Sequence, residues 1–197
     1  YYQGKYGLSD EEMRKFVASR KRDSELYSVK HRRHVVELAH QKNLALASHD
    51  DATEEHVAEA VADKMTVAEF PTTLAAAKAS HEGGLGVMMG GPNLVRGGSH
   101  SGNVAAGDLA KHGYLDIISS DYVPHSLLHG VMKLFDDFDA YDLPRAVRTA
   151  TLTPAKQVGL DDRGEIAVGK RGDLIRVHHS PHHPIVRGVW RLGSRVS

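Results

Sequence analysis

The fold is decided by two consecutive stretches, 44-LALASHDDATEEHVAEAVADK-64 and 66-TVAEFPTTLAAAKASHEGG-84. Each opens with a short apolar run that ends in polar residues, which predicts a strand over 66–70 in the second stretch. Thr53 and Thr72 follow as predicted helix N-caps, and each precedes alanine and valine residues at helical spacing. Gly83 is the predicted end of the second helix. The pattern is a β-loop-α unit with a repeat of about twenty residues.

Two further units continue the pattern. The run 85-LGVMMGG-91 predicts a third strand, with its helix in 104-VAAGDLAKHG-113. The run 114-YLDIISSDYVP-124 predicts a fourth strand, followed by a helix through Leu134. Four strand-helix units in succession predict an α/β fold with a parallel sheet.

The two ends of the chain do not continue the strand-helix pattern. Ser9 and Glu12 fit a capping box that opens a helix through about Arg20, and a second helical pattern runs from about Ser24 to Lys42. After Pro144 we expect two short helices, then short strands in 164-GEIAVGKRGDLIRV-177 and 185-IVRGVWRLGSRV-196. The tract 178-HHSPHHP-184 between them is predicted to be an exposed loop with weak metal affinity. We therefore place a boundary between residues 158 and 159.

Composition narrows the class of protein. The chain has 25 basic and 25 acidic residues, which argues against a general nucleic-acid binder and against adhesion to an anionic membrane. No apolar run approaches the roughly 20 residues that span a bilayer, and we expect a soluble, cytoplasmic protein. The absence of cysteine excludes disulfides, thiolate metal sites and a cysteine nucleophile. A metal site would therefore use histidine or carboxylate ligands.

Polar and ionisable groups collect where the four predicted strands end. In a parallel α/β fold those ends share one edge, where active sites form. His49 and Asp121 are the favoured metal ligands, because imidazole and carboxylate are donors for Zn²⁺, Mn²⁺ or Mg²⁺. Asp50, Asp51 and Ser120 are either support for these ligands or helix caps. "GGSHSG" places His100 where a serine hydrolase would have its nucleophile, so that class is unsupported.

The glycine-rich stretch 90-GGPNLVRGGSHSGN-103 predicts a loop that is either a surface connection or a ligand-binding segment. Glycines let a backbone approach a ligand closely, and an arginine can hold a phosphate or a carboxylate through two parallel hydrogen bonds. The predicted phosphate-binding residues are Asn93, Arg96, Gly97, Gly98, Ser99 and Asn103.

Four strings in this order carry a resemblance: "LALASHDDATEEHVAEA", "AEFPTTLAAAKASHEGG", "GGPNLVRGGSHSGN" and "DIISSDYVP". They resemble the phosphonate-metabolism members of the amidohydrolase superfamily, and "DDRGEIAVGKRGDLIRV" with "VRGVWRLGSRV" resembles that superfamily's C-terminal β segment. The resemblance implies a distorted (β/α)₈ barrel with a divalent metal centre. The implied activity is hydrolysis of α-D-ribose 1-methylphosphonate 5-triphosphate to the 5-phosphate and pyrophosphate, in carbon–phosphorus bond catabolism.

The resemblance also assigns roles to residues. His49 and Asp121 match the superfamily's metal-site histidine of strand five and aspartate of strand eight. Where a second histidine is frequent on strand six, this chain has Glu69, so either Glu69 is a ligand or His100 reaches in from the next loop. Asp121 would also accept the proton of the attacking water, and Arg96 with the loop amides would hold the triphosphate.

On this resemblance the chain corresponds to strands five to eight, residues 1–158, with part of the β-sandwich in 159–197. The ligands of strands one and four would precede Tyr1, and half a barrel leaves an open sheet edge. We expect that a homo-oligomer or an N-terminal half completes it. Two alternatives stay open: a catalytically incomplete fragment or binding module, and a hydrolase acting on an amide or cyclic amide.

Overall fold

The computed structural model describes residues 2–99, 101–180 and 183–197. The chain divides into two compact units, of which the first ends at Leu44 and the second begins at Ala45.

The first unit contains helices α1 (Tyr2–Tyr6) and α2 (Asp10–Gln41). The predicted capping box opens α2: the Ser9 hydroxyl accepts from Glu12 N, and the Glu12 carboxylate accepts from Ser9 N at 2.8 Å. The prediction of two helices is wrong, because α2 is continuous through residues 20–24. No second helix begins at Ser24, because no glycine or proline interrupts this stretch, and Arg20 and Asp23 pair at 3.9 Å along the helix.

A parallel sheet organises the second unit, as the sequence predicted. Its strands are β1 (Ala47–His49), β2 (Val67–Glu69), β3 (Gly86–Gly90) and β4 (Ile117–Ser119), in that spatial order. Helices α3 (Glu54–Ala62) and α4 (Leu74–Glu82) follow β1 and β2. Chain order equals spatial order, so each strand end lies beside the next one along the chain.

The helix caps follow the predicted chemistry with one shift. The Thr53 hydroxyl accepts from His56 N at 3.3 Å, and Gly83 is the C-cap of α4. The prediction that Thr72 caps α4 is wrong, because Thr73 accepts from Ala76 N at 3.1 Å. The Thr72 hydroxyl instead donates to the Asp51 carbonyl at 3.3 Å, which ties the loop after β2 to the loop after β1.

The segment after β3 is more ordered than a loop. Residues Gly91–Arg96 form helix α5, with Pro92 in its first turn, where proline is favoured. Leu94 is 2% exposed and packs in the main core, so the segment is fixed by burial despite its low apolar content. The loop prediction is therefore wrong for residues 91–96.

The remaining helices cover the sheet around one core. They are α6 (Ala106–Lys111), α7 (Ser126–Asp137), α8 (Leu143–Arg148) and α9 (Leu152–Gln157). Val87 and Met89 of β3 and Ile118 of β4 pack against Leu109 of α6 and Leu134 of α7. This core leaves the carboxyl ends of the strands free to present polar groups.

The C-terminal residues form a second, antiparallel sheet of β5 (Leu174–His178), β6 (Ile185–Arg191) and β7 (Ser194–Arg195). The predicted strand in 164–177 is right only from Leu174, since residues 164–173, which are all described, form turns and irregular connections. In the HHSPHHP tract His179 is exposed and its Nε2 lies 2.9 Å from Asp136 Oδ1, whereas Pro181 and His182 lie outside the described residues.

The α/β class with a parallel sheet is confirmed, while the boundary at 158/159 stays a prediction. Across the described residues, no helix combines the length and the apolar character that crossing a membrane requires.

Candidate active site

The carboxyl ends of β1 to β4 lie along one edge of the parallel sheet. The register pairs His49 with Glu69 and Gly90 with Ser119. Asp50 N donates to Glu69 O at 3.0 Å and Phe70 N donates to Met88 O at 2.9 Å, so the ladder continues one residue past β1 and β2. The sheet thereby sets the spacing of the side chains that follow it.

Three residues just past these strands have left-handed backbone. They are Asp50, Phe70 and Asp121, with φ of 59°, 55° and 49°. Such a conformation costs of order 1–3 kcal/mol in a residue other than glycine, and it clusters at functional sites. Its repetition after three of the four strands marks this edge as the candidate site.

His49 meets two carboxylates. Its Nδ1 lies 3.2 Å from Asp50 Oδ2 and its Nε2 lies 4.0 Å from Glu69 Oε2, while its ring packs edge-on against Phe70 with centroids 5.5 Å apart. The side chains of His49 and Asp50 are more than half exposed. His49 and Glu69, which the strand-end rule predicts to be neighbours, therefore lie close enough to face one ion between them.

A pocket of ≈ 210 Å³ opens beside this group. Its lining consists of Asp50, Gly90, Arg96, Asp121 and Tyr122, together with Phe70, Pro71, Met89, Asn93, Ser99, Ser101 and Asn103. The pocket thus gathers the predicted base and most of the predicted phosphate-binding residues. His49 and Glu69 are outside its lining.

Arg96 is fixed at two points of this pocket. Its Nη1 donates to the Tyr122 hydroxyl at 3.2 Å and its Nη2 donates to the Gly98 carbonyl at 2.8 Å. The side chain is exposed, so the two bonds hold a guanidinium that solvent would otherwise leave mobile.

Asn93 binds backbone groups of this segment. Its Oδ1 accepts from Ala106 N at 3.0 Å and its Nδ2 donates to Val104 O at 3.5 Å. Its carbonyl accepts from both Gly97 N and Gly98 N at 3.0 Å. These two amides already have an acceptor, so in this conformation Arg96, Ser99 and Asn103 are the better placed of the six predicted phosphate-binding residues.

The predicted supporting residues are held by backbone contacts. The Asp51 carbonyl accepts from Thr72 N at 2.8 Å, and the Ser120 carbonyl accepts from the Ser126 hydroxyl at 3.1 Å. Of the four buried side-chain oxygens without a hydrogen-bond partner in the described residues, three lie at or next to these strand ends: Ser48 Oγ, Asp51 Oδ2 and Ser119 Oγ. Buried polar atoms are normally paired, so this edge still has capacity to bind a polar group.

The chemical types of the predicted metal ligands suit a divalent ion, but too few of them lie together in the described residues to hold one. His49 and Glu69 lie beside each other and offer an imidazole nitrogen and a carboxylate oxygen, which suit Zn²⁺ or Mn²⁺. Asp121, the other favoured ligand, lines the pocket whose lining does not include those two residues. Yet in residues 2–99, 101–180 and 183–197 no three such side chains are placed to share an ion. His100 lies outside the described residues.

Gly90, Phe70 and Tyr122 are parts of the site that strand-end reasoning did not name. Phe70 directly follows Glu69 and Tyr122 directly follows Asp121, so adjacency to named residues was the available signal.

A larger apolar cavity lies elsewhere. It has a volume of ≈ 780 Å³ and is lined by Val158, Leu160, Ile175 and Trp190 among others. None of the predicted site residues lines it, so its size carries no argument about the chemistry.

Comparisons with known proteins bear on the sequence as a whole. The chain is 48% identical over all 197 residues to alpha-D-ribose 1-methylphosphonate 5-triphosphate diphosphatase of Escherichia coli, of which it covers 52%. It is 36% identical over 61 residues to imidazolonepropionase of Deinococcus deserti, covering 27% of this chain and 15% of that protein. The chain thus spans about half or less of the curated relatives it matches.

Solved structures support the fold. A crystal structure of an uncharacterized protein aligns with a TM-score of 0.61 at 22% identity, covering 82% of this chain and 48% of that one. Molinate hydrolase aligns with a TM-score of 0.57 at 15% identity, covering 82% and 44%. The Amidohydrolase family profile matches residues 10–178. With that match and the homology to the E. coli diphosphatase, the chain belongs to the amidohydrolase family.

Proposed function

We propose that this chain is the C-terminal half of a metal-dependent hydrolase that releases pyrophosphate from α-D-ribose 1-methylphosphonate 5-triphosphate. The observation that carries the proposal is the 48% identity to the E. coli diphosphatase over the whole chain. The pocket that gathers Asp121 and Arg96 is consistent with it. Because the chain covers 52% of that relative, the activity requires that the N-terminal half be supplied.

In this proposal Arg96 holds a phosphate of the triphosphate. Its guanidinium carries a permanent positive charge and is held by the contacts to Tyr122 and Gly98. Because Arg96 lines the pocket, this charge lies where a phosphate group would bind. Ser99 and Asn103, on the same rim, add neutral polar groups.

Asp121 is the proposed general base. A water oxygen attacks a phosphorus of the triphosphate, the anhydride bond to pyrophosphate breaks, and the water proton passes to the Asp121 carboxylate. His49 and Asp121 would hold the divalent ion, either Zn²⁺, Mn²⁺ or Mg²⁺. Glu69 or His100 would be a further ligand. When bound, such an ion supplies Lewis-acid polarisation of a phosphoryl oxygen.

The strands are proposed to be the fifth to eighth of a distorted (β/α)₈ barrel, with the antiparallel sheet as part of a terminal sandwich. The two solved structures of similar fold are each about twice as long as the part that this chain covers, which is consistent with half of a larger barrel. A homo-oligomer or the N-terminal half would cover the open edge of β1, because an unpaired edge exposes backbone N–H and C=O groups.

Two alternatives remain. The shortage of metal ligands in the described residues favours a catalytically incomplete binding module. The match to imidazolonepropionase over 61 residues favours a hydrolase of amide or cyclic amide substrates. Arg96, within the glycine-rich segment, favours a phosphate substrate over an amide.

The deciding experiment measures pyrophosphate release from the ribose triphosphate with the N-terminal half supplied. We expect Asp121→Asn to lower kcat by about 10²–10⁴ without loss of folding, because it removes the base at almost constant volume. Asp116→Asn is the control for kinetics. The Asp116 carboxylate lies near the opposite end of β3, where its Oδ2 accepts a hydrogen bond from Val87 N. Unchanged turnover in Asp121→Asn would exclude the assigned role.

A further inference from the structure

We propose that Gly90 is a positioning residue whose lack of a side chain creates the space in which the Asp121 carboxylate lies. This inference rests on the proposed function, because it gives Gly90 a role through Asp121.

The backbone at position 90 does not require glycine. Gly90 has φ −73° and ψ 134°, which any residue adopts. It is also the N-cap of α5 and makes no side-chain cap bond, at a position where serine, threonine, asparagine or aspartate is usually preferred. Neither conformation nor capping therefore explains a glycine here.

The space beside Gly90 does explain it. A Cβ at this position would lie 2.8 Å from Asp121 Oδ2, 3.2 Å from Asp121 Cβ and 3.4 Å from Asp121 Cγ. The first distance is shorter than real Cβ contacts, so a side chain at position 90 requires the carboxylate to move. All three nearest atoms belong to Asp121, which makes the clash specific to that side chain.

The turn that carries Asp121 is held from its other side. Val123 N donates to the Ser120 carbonyl at 3.0 Å, and the Ser126 hydroxyl donates to the same carbonyl at 3.1 Å. With the backbone held in this way, the 2.8 Å contact with Oδ2 is relieved by rotation of the Asp121 side chain, which changes the position of the proposed base.

The neighbouring glycine has a different role. A Cβ at Gly91 would lie 2.6 Å from Ser126 Oγ and 2.7 Å from the Ser126 carbonyl oxygen. Because the obstacle includes backbone at the start of α7, Gly91 serves helix packing. Of the two adjacent glycines, Gly90 therefore leaves space for the Asp121 carboxylate, and Gly91 allows the start of α7 to pack closely.

The test compares Gly90→Ala with the wild type in the protein with both halves present. A 1 Å misplacement of a reacting group costs about 10²-fold, so we expect kcat to fall by roughly 10–100-fold with a small change in KM. The acidic limb of the pH profile of kcat should also shift. Gly107→Ala is the matched control, since its Cβ would meet Phe138 at an ordinary 3.4 Å and kinetics should not change.

A double-mutant cycle isolates the mechanism. In the Asp121→Asn background, Gly90→Ala should cause no further loss of kcat, because the base it displaces is already absent. A wild-type kcat and pH profile in Gly90→Ala, or a full additional loss in the double variant, would overturn the inference.

Folding provides a second readout. If Gly90→Ala lowers the melting temperature, adding Asp121→Gly should restore it, because that change removes the clashing side chain and suits the left-handed backbone at φ 49°. No restoration would overturn the inference. If the wild type releases no pyrophosphate, the proposed function is refuted. The positioning role is tested separately by a crystal structure of Gly90→Ala, and an unmoved Asp121 side chain in that structure would refute it.

Discussion

Arg96 Nη1 donates a hydrogen bond of 3.2 Å to the hydroxyl of Tyr122, and this bond joins the end of α5 to the turn after β4. The Arg96 Nη2 bond to the Gly98 carbonyl holds the same guanidinium from its own segment. The cation is thereby oriented before any ligand binds, which lowers the entropy cost of using it.

Arg96→Lys should raise the KM for the triphosphate by roughly ten- to a hundredfold, with little change in folding. An ammonium is a point charge and cannot reproduce the planar fork of the guanidinium. The loss of one charge-assisted hydrogen bond corresponds to about 1.5–3 kcal/mol. Steady-state kinetics and a thermal melt measure the two effects. An unchanged KM would instead indicate a surface ion-pair residue.

Tyr122→Phe should give a smaller effect in the same assay. It keeps the ring and removes the hydroxyl that accepts from Arg96. Loss of this exposed bond leaves the guanidinium charge in place and weakens only its orientation, so an effect of about 0.5–1.5 kcal/mol is expected and KM should rise by roughly two- to tenfold. A rise as large as that of Arg96→Lys would mean that Tyr122 contacts the substrate itself.

His49→Ala should lower the metal content of the protein with both halves present, as measured by elemental analysis after dialysis. Water replaces an imidazole ligand poorly, and loss of a ligand or its orienting partner typically costs 10-fold or more in affinity. Glu69→Gln should act in the same direction, since Glu69 Oε2 lies 4.0 Å from His49 Nε2. His112→Ala, at the exposed C-cap of α6, is the control. Full occupancy with reduced stability would make His49 structural.

The parallel sheet and the strand ends were predictable because both follow from local pattern. Alternation of apolar runs with helical stripes indicates strand-helix units, and parallel strands bring their carboxyl ends to one edge. The contact of His49 with Glu69 follows from this rule alone. The shift of the cap from Thr72 to Thr73 does not, because two adjacent threonines offer the same local chemistry.

Other features depend on contacts that are distant in sequence. Helix α5 is stabilised because Leu94 packs in the core, a contact that the low apolar content of this segment did not indicate. The Gly90 contact depends on Asp121, thirty-one positions along the chain, and Tyr122 gains its role from Arg96 across a similar separation. Such pairs are visible only when the strands are in register.

Tyr141 provides a prediction about stability that is independent of activity. Its side chain is 2% exposed and its hydroxyl donates to the Leu115 carbonyl at 2.7 Å. Burial raises the pKa of Tyr141 from 10.0 to about 12, against the opposing effect of the Arg145 cation. Tyr141→Phe removes the donor and leaves the carbonyl unpaired, so unfolding at neutral pH should cost about 1–3 kcal/mol less than in the wild type.

The pH dependence of that difference follows from proton binding. Between pH 10 and 12 the folded protein keeps the Tyr141 proton while the unfolded chain releases it. The unfolded state then binds fewer protons, so the free energy of unfolding falls as pH rises. The contribution is complete below pH 10 and is lost by about pH 12, at roughly 1.4 kcal/mol per pH unit. Urea unfolding of the wild type and Tyr141→Phe at pH 8, 10 and 11 measures it, and the difference between the two proteins should shrink above pH 10. A constant difference across that range would show that Tyr141 releases its proton no later when folded than when unfolded.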